Sequence, residues 1–353
     1  MAISRDTAPI RPGEELQLAA LAHFLRGKVE GAGQAISVEQ FPSGHSNLTY
    51  LLRLGEREYV LRRGPLGPVA PKAHDMAREY RVLQAIHPHF PEAPKVYALC
   101  EDQSVLGAVF FLMERRRGVI LRHEIPQDIS RLPNHPRAVS EALVQCLARL
   151  HAIDLVNTGL LALGKPEGFL ERQVQGWADR WRRAQTEEVP QMEELVRWLA
   201  GRMPPSPAAT IVHNDFKLDN VMLRAASPDE VEAVLDWEMA TVGDPLADLG
   251  LTLCYWCWAS SPFLRARALP ALTSQPGWYT RDEFVARYSH LTSRDLTHLP
   301  WHEVLGIFKL AVILQQIYYR FRRGQTQDQR FRDFGDRVRG FAELAVSLAE
   351  KHS

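Results

Sequence analysis

The residues best suited to chemistry lie in one stretch, His213-Asn214-Asp215-Phe216-Lys217-Leu218-Asp219-Asn220, followed by Leu235-Asp236-Trp237-Glu238. The first segment has the spacing H-x-D-x-K-x-x-N. A carboxylate that can take a proton, an amine, an amide oxygen and a second carboxylate are what phosphoryl transfer needs. Catalysis of that reaction is mostly positioning and neutralisation of charge. In this scheme Asp215 orients an attacking hydroxyl and accepts its proton, and Lys217 contacts the transferred phosphoryl group. Asn220 and Asp236 offer oxygens to Mg²⁺, a hard cation. A solvated turn accounts for Asp or Asn singly. It does not account for His213, Asp215, Lys217, Asn220 and Asp236 together.

These groups need elements to hold them. Ala209, Ile211 and Val212 before the stretch, and Val221, Met222 and Leu223 after it, predict strand, polar loop, strand. A further apolar run, Val231 to Leu235, ends at Asp236. The expectation is a hairpin that presents Asp215, Lys217, Asn220 and Asp236 from one edge. The order of base, amide five residues on, then carboxylate after the next strand is that of the kinase catalytic loop.

With Gly243-Asp244-Pro245-Leu246-Ala247-Asp248-Leu249-Gly250 added, the carboxyl half resembles the aminoglycoside phosphotransferase and choline kinase superfamily. Phe41-Pro42-Ser43-Gly44-His45-Ser46-Asn47, Tyr59-Val60-Leu61-Arg62-Arg63 and Pro71-Lys72-Ala73-His74 narrow the match. They resemble the kinase-like domain fused to some acyl-CoA dehydrogenases. The resemblance implies a two-lobed, protein-kinase-like α+β fold, with a small antiparallel-sheet lobe and a larger, mainly helical one. It implies ATP as donor, with GTP open, and Mg²⁺. It also implies a small-molecule hydroxyl as acceptor, with a hydroxyacyl-CoA as the leading class. An aminoglycoside or other amino-alcohol, and a nucleotide-binding pseudokinase, are the alternatives.

The amino half then reads as a nucleotide lobe. Phe41 to Leu54 predicts strand, tight turn, strand, with Ser43, Gly44, His45, Ser46 and Asn47 at the turn, where backbone N–H groups can approach phosphates. On the next strand Arg62 stands where kinases carry a lysine, and a guanidinium suits phosphate. A helix from about His74 to Ala85 bears Glu79, the expected partner of Arg62. Phe110 to Glu114 resembles the strand into a hinge, where backbone groups around Glu114 would meet adenine. Charge rises over Arg115–Arg117 before Gly118, which sets a boundary between a lobe at 1–116 and one at 117–353.

The carboxyl half predicts helices at 136–153, 168–184, 191–201, 245–259, 280–291, 301–322 and 327–350. His151 is expected to be a structural hydrogen-bonder, and Asp248 to hold the catalytic loop. Asp248 follows Asp236 within twelve residues, too few for a peptide-docking activation segment, which favours a small acceptor. Residues 251–330 hold ten Arg and Lys against five Asp and Glu, a lean that suits an anionic acceptor.

Composition bounds the rest. Forty-two basic residues balance forty-two acidic ones, so no global field points to nucleic acid or a membrane surface. No apolar run approaches the ~20 residues of a membrane helix. Four cysteines in 353 residues make no disulfide framework. Cys254 and Cys257 form a lone C-x-x-C, expected to be buried helix residues, and a reduced, cytoplasmic setting fits. A homodimer is the default assembly for such enzymes.

Overall fold

The computed structural model of the chain describes residues 6–42, 47–65, 75–122, 124–256 and 272–352. The chain divides into two compact units, Met1–Gly118 with Glu232–Ala240, and Val119–Val231 with Thr241–Ser353.

The first unit is built on an antiparallel sheet of β1 (Ile36–Gln40), β2 (Leu48–Leu54), β3 (Arg57–Arg63), β4 (Val96–Cys100) and β5 (Phe110–Glu114), in the order β1-β2-β3-β5-β4. Gly55 opens the β2–β3 turn at φ +60°, a conformation that L side chains resist. Side chains alternate along each strand. Tyr50, Leu52, Leu54, Leu61, Phe110 and Leu112 therefore share one face, covered by Leu21 and Leu25 of α1 (Leu18–Leu25). Arg63 points into this apolar face, 1% exposed, and donates to the Leu106 and Glu14 carbonyls and to the Tyr50 hydroxyl. Arg62, one residue earlier, points to the opposite face. There α2 (Met76–Ile86) packs, and Tyr80 meets Phe111 edge to face. α2 starts where the Asp75 side chain accepts from the Arg78 N–H. A short α3 (Gln103–Leu106) ends at Gly107 with φ +77°, and β5 begins three residues later at Phe110.

The segment 232–240 belongs with this unit. A single cut after residue 116 would assign it to the other. Its attachments explain the difference. The Val234 N–H donates to the Glu92 carbonyl, Arg116 pairs with Glu232, and Arg78 donates to the Glu238 and Ala240 carbonyls.

The second unit is mainly helical: α4 (Gln127–Ser130), α5 (His135–His151), α6 (Phe169–Ala184), α7 (Pro190–Gly201), α8 (Pro245–Tyr255), α9 (Arg281–Thr292), α10 (Leu299–Arg322) and α11 (Phe334–Lys351). Its core joins Trp177 and Trp181 of α6, Leu195 and Leu199 of α7, and Val304 and Phe308 of α10. α10 has the length and apolar composition to cross a bilayer. No continuous apolar run reveals it, because His302, Glu303 and Lys309 interrupt the pattern. Its apolar residues are part of the unit's own core. α8 approaches α10 closely where small residues allow it. A Cβ on Gly250 would lie 2.7 Å from the His302 backbone, and one on Gly306 would lie 2.7 Å from Cys254 Sγ.

Two small sheets complete this unit. β7 (Thr210–Val212) pairs antiparallel with β10 (Thr241–Gly243). β6 (Val119–Ile120), β8 (Val221–Arg224) and β9 (Ser227–Val234) form a second sheet, and the last residues of β9 pass into the first unit. The expected hairpin of β7 with β8 is therefore not formed. β7 is buried at all three positions and takes β10 as its partner, while a 3₁₀ turn at Leu218–Asn220 redirects the chain into the other sheet.

Candidate active site

In the second unit the loop after β7 is pinned from both ends by one helix. The Asp248 carboxylate accepts from the His213 N–H at 2.6 Å and the Asn214 N–H at 2.8 Å. Thr252, one turn later on α8, donates its hydroxyl to the Phe216 carbonyl at 2.9 Å. Residues four apart share a helix face, so α8 grips the loop with a single stripe. His151 adds a third contact to Asp248 at 3.2 Å, and its other ring nitrogen meets the Tyr288 hydroxyl at 2.7 Å. Burial would raise Asp248, but the His151 hydrogen bond, the nearby His151 and His213 and the His213 N–H more than reverse it, so its carboxyl lies below the usual range. Asn214 takes φ +63°, a left-handed turn that Asn tolerates better than most residues.

This grip turns Asp215 away from the core while Phe216 is fully buried. Lys217 Nζ bonds both Asp215 oxygens, at 2.9 and 2.8 Å. Asn220 Nδ2 donates to Asp215 Oδ2 at 2.8 Å and to its carbonyl at 2.9 Å. The Tyr255 hydroxyl also bonds Asp215. Burial, and then the Asp215 charge, push that phenol well above its ordinary range, so it stays a neutral donor. Lys217 Nζ lies 4.9 Å from the Tyr255 ring centroid. Asp215, Lys217 and Asn220 are thus one hydrogen-bonded cluster.

In the first unit Arg62 makes the second cluster. Its Nε is 3.1 Å from Glu79 and its Nη2 is 2.6 Å from Asp236 Oδ1. Burial alone would lower Arg62, and the charges of Glu79 and Asp236 more than offset it. Burial pushes Glu79 up to about 7, against the pull of Arg62 and with further push from Asp236 and Glu238. Asp236 itself sits at φ +68°. Asn47 Nδ2 donates to Glu238 at 3.0 Å. Ser43, Gly44, His45 and Ser46 lie outside the described residues. Arg62→Lys loses the planar fork that reaches two carboxylates. The expected result is a denaturation midpoint lowered by the equivalent of roughly 1–2 kcal/mol, the scale of one lost charged hydrogen bond. An unchanged midpoint would show that the bridge contributes nothing.

Each unit holds one oxygen donor of the kind that Mg²⁺ prefers: in the second the Asn220 amide oxygen, whose Nδ2 is committed to Asp215, and in the first the Asp236 carboxylate, which also pairs with Arg62. Among the described residues no group of three or more His, Cys, Asp or Glu forms a metal cage. Mg²⁺ bound by one or two protein oxygens plus substrate phosphates needs none.

The remaining expected features come out unevenly. The Glu114 N–H donates to the Lys95 carbonyl at 2.7 Å and its side chain pairs with Arg116, so that N–H is already committed within the sheet. Arg78, next to Glu79 in sequence, holds the 232–240 segment through the Glu238 and Ala240 carbonyls. Cys254 is buried, and burial pushes its thiol up to about 12. Cys257 lies outside the described residues. Part of the basic lean of 251–330 is consumed locally: Arg281 pairs with Glu303, Arg287 with Glu141, and Arg330 with Asp328.

Sequence reasoning missed Tyr255 and Lys309. A signal for Tyr255 existed, because 248, 252 and 255 recur at the spacing of one helix face.

The sequence profile of the phosphotransferase enzyme family matches residues 37–284. Acyl-CoA dehydrogenase family member 10 of Mus musculus is 35% identical over 350 residues, covering 98% of this chain and 32% of its own length. Acyl-CoA dehydrogenase family member 11 of Gallus gallus is 32% identical over 367 residues, covering 100% of this chain and 46% of its own length. The chain thus spans less than half the length of these two curated relatives. A Ralstonia eutropha protein assigned to the aminoglycoside phosphotransferases superposes with a TM-score of 0.79 at 32% identity, covering 96% of this chain and 99% of that one. A choline kinase of Cryptosporidium parvum shares the fold, with a TM-score of 0.64 at 12% identity over 95% of this chain and 96% of that one.

Proposed function

This chain belongs to the phosphotransferase enzyme family, and from that premise we propose that it transfers the γ-phosphoryl group of ATP, with Mg²⁺, to a hydroxyl of a small molecule. The observation that carries the proposal is the Asp215 carboxylate, held on a helix-pinned loop with Lys217, Asn220 and Tyr255 on its oxygens. Asp215 orients the acceptor hydroxyl and takes its proton as the new O–P bond forms and the bond from the γ-phosphorus to the β,γ-bridging oxygen breaks, with ADP as the leaving group. Tyr255 and Asn220 fix the carboxylate's direction. Lys217 balances its charge and is the cation at hand for the transferred group. Arg62, steadied by Glu79, is a cation for the phosphates of the nucleotide. Asn220 and Asp236 are the oxygen donors for Mg²⁺, which when bound neutralises phosphate charge.

For the acceptor we take a hydroxyacyl-CoA or a related acyl compound. Support comes from the acyl-CoA dehydrogenase family members that align over nearly the whole chain. A second reading, an aminoglycoside or another amino-alcohol, is favoured by the likeness to the Ralstonia eutropha protein.

The test is a mass-spectrometric assay with Mg-ATP or Mg-GTP against 4-hydroxyacyl-CoA, aminoglycosides, choline and sugars. A phosphorylated acyl-CoA, absent without Mg²⁺, is the expected product. Phosphorylation of a different acceptor keeps the mechanism and replaces the substrate. Nucleotide binding with no product from any acceptor overturns the proposal in favour of a pseudokinase.

A further inference from the structure

Lys309 lies midway along α10 and is 2% exposed, inside the helical unit. No described residue accepts a hydrogen bond from its Nζ. Among the described residues its ring contact is the Trp177 indole, whose centroid is 5.5 Å away. Arg180 lies over the same indole, with Cζ at 4.5 Å, and has no carboxylate partner among the described residues. Some guanidinium groups of this unit have carboxylate partners, as Arg182 has Glu193 and Arg281 has Glu303, and others, such as Arg202 and Arg337, lie over an aromatic ring; Arg180 shares its ring with a second cation.

Two cations on one ring repel each other, and a cation–π contact does not replace the hydration that a buried ammonium gives up. Such an arrangement is completed by an anion. Burial draws Lys309 down to about 8, opposed by the charges of Asp248 and Asp215, so the ammonium feels the catalytic loop.

We propose that Lys309 and Arg180, on the Trp177 indole, form a subsite for an anionic oxygen group, carboxylate or phosphate, of the acceptor. The inference deepens the phosphotransferase reading and rests on it. It makes the acceptor an anion that bears a hydroxyl, and it disfavours polycations, which two unpaired positive charges would repel.

The test is calorimetric binding to the full chain, wild type against Lys309→Met and Arg180→Gln. The probes are 4-hydroxybutanoate for the carboxylate, coenzyme A for the phosphates, and 1,4-butanediol as neutral control. Mg-ADP affinity is measured in the same samples. At least one anionic probe should bind wild type and weaken about tenfold or more in each variant, an effect on the scale of a lost charged contact. Mg-ADP affinity should be unchanged, and whichever probe responds identifies the source of the anion. Lys309→Met should also raise the melting temperature of the ligand-free protein by about 2–4 °C, the scale of roughly 1 kcal/mol, because an uncompensated buried charge is removed. A lysine kept for stability would lower it. Equal binding by wild type and both variants, no binding of either anion to wild type, or a lowered melting temperature overturns the subsite. If Lys309→Met does not fold, the half-buried Arg180→Gln carries the binding test alone. The two readings fail separately. Turnover without the anion effect removes the subsite, and anion binding without any turnover removes the phosphotransferase reading.

Discussion

Asp215→Asn lowers turnover at least about a hundredfold, within the range for loss of a general base together with its positioning, and leaves Mg-ATP affinity within a few-fold of wild type. The amide keeps the size of the carboxylate and an oxygen that can still accept from Lys217, Asn220 or Tyr255, so the loop has no reason to collapse. It cannot take a proton, and it no longer balances Lys217. The cost therefore falls on the chemical step. Initial rates with the acceptor identified above, beside nucleotide binding by fluorescence or calorimetry, separate the two quantities. Turnover near wild type would remove Asp215 as the base. A large loss of nucleotide affinity with turnover preserved at saturation would give it a binding role instead.

Asp248→Ala is expected to destabilise the protein by about 3 kcal/mol or more, because it leaves two buried N–H groups without an acceptor at roughly 1–3 kcal/mol each. Those groups are the His213 and Asn214 amides, and His151 loses a partner with them. A shift of the denaturation midpoint at constant slope measures the effect. Turnover should fall as well, since the loop that aims Asp215 loses its anchor, although Asp248 touches neither nucleotide nor acceptor in the proposed mechanism. The pH dependence provides an independent check. The folded Asp248 carboxyl lies below its ordinary value of 3.8, so near and below that pH the unfolded chain binds more protons than the folded one. Its contribution is therefore present above pH 3.8 and is lost as pH falls through the lowered folded value. The acid limb of the stability curve should flatten in Asp248→Ala. An acid limb identical to wild type would show that Asp248 is not ionised in the fold.

The elements themselves were readable because periodicity is local. Alternation over Tyr59–Arg63 gives a strand, and apolar spacing over 136–153 and 168–184 gives helices. Element ends were less readable. Gly107 in a left-handed turn delays β5, and α11 starts at Phe334 rather than near 327, because a turn at Gln329–Phe331 precedes it. The expected α+β architecture is the one found. The expected hairpin around Asp215 is not, since two adjacent runs of strand-forming residues say nothing of which other strand each will pair with.

By itself the sequence determined that Asp215, Lys217 and Asn220 would sit together. A loop of eight residues, His213–Asn220, between two apolar runs leaves them little room to separate. It also determined that Arg62 and Arg63 would face opposite ways, because a strand alternates. Only the tertiary structure decided what each side chain met. It gave Arg63 to backbone carbonyls and a tyrosine hydroxyl, and Arg62 to Glu79 and Asp236. It gave Arg281, Arg287 and Arg330 carboxylate partners and set Lys309 and Arg180 on Trp177, with no carboxylate bound to either among the described residues. The physical reason is range. Propensity and periodicity act over a few residues, whereas a buried charge is defined by partners tens to more than a hundred positions away, which only packing brings within reach.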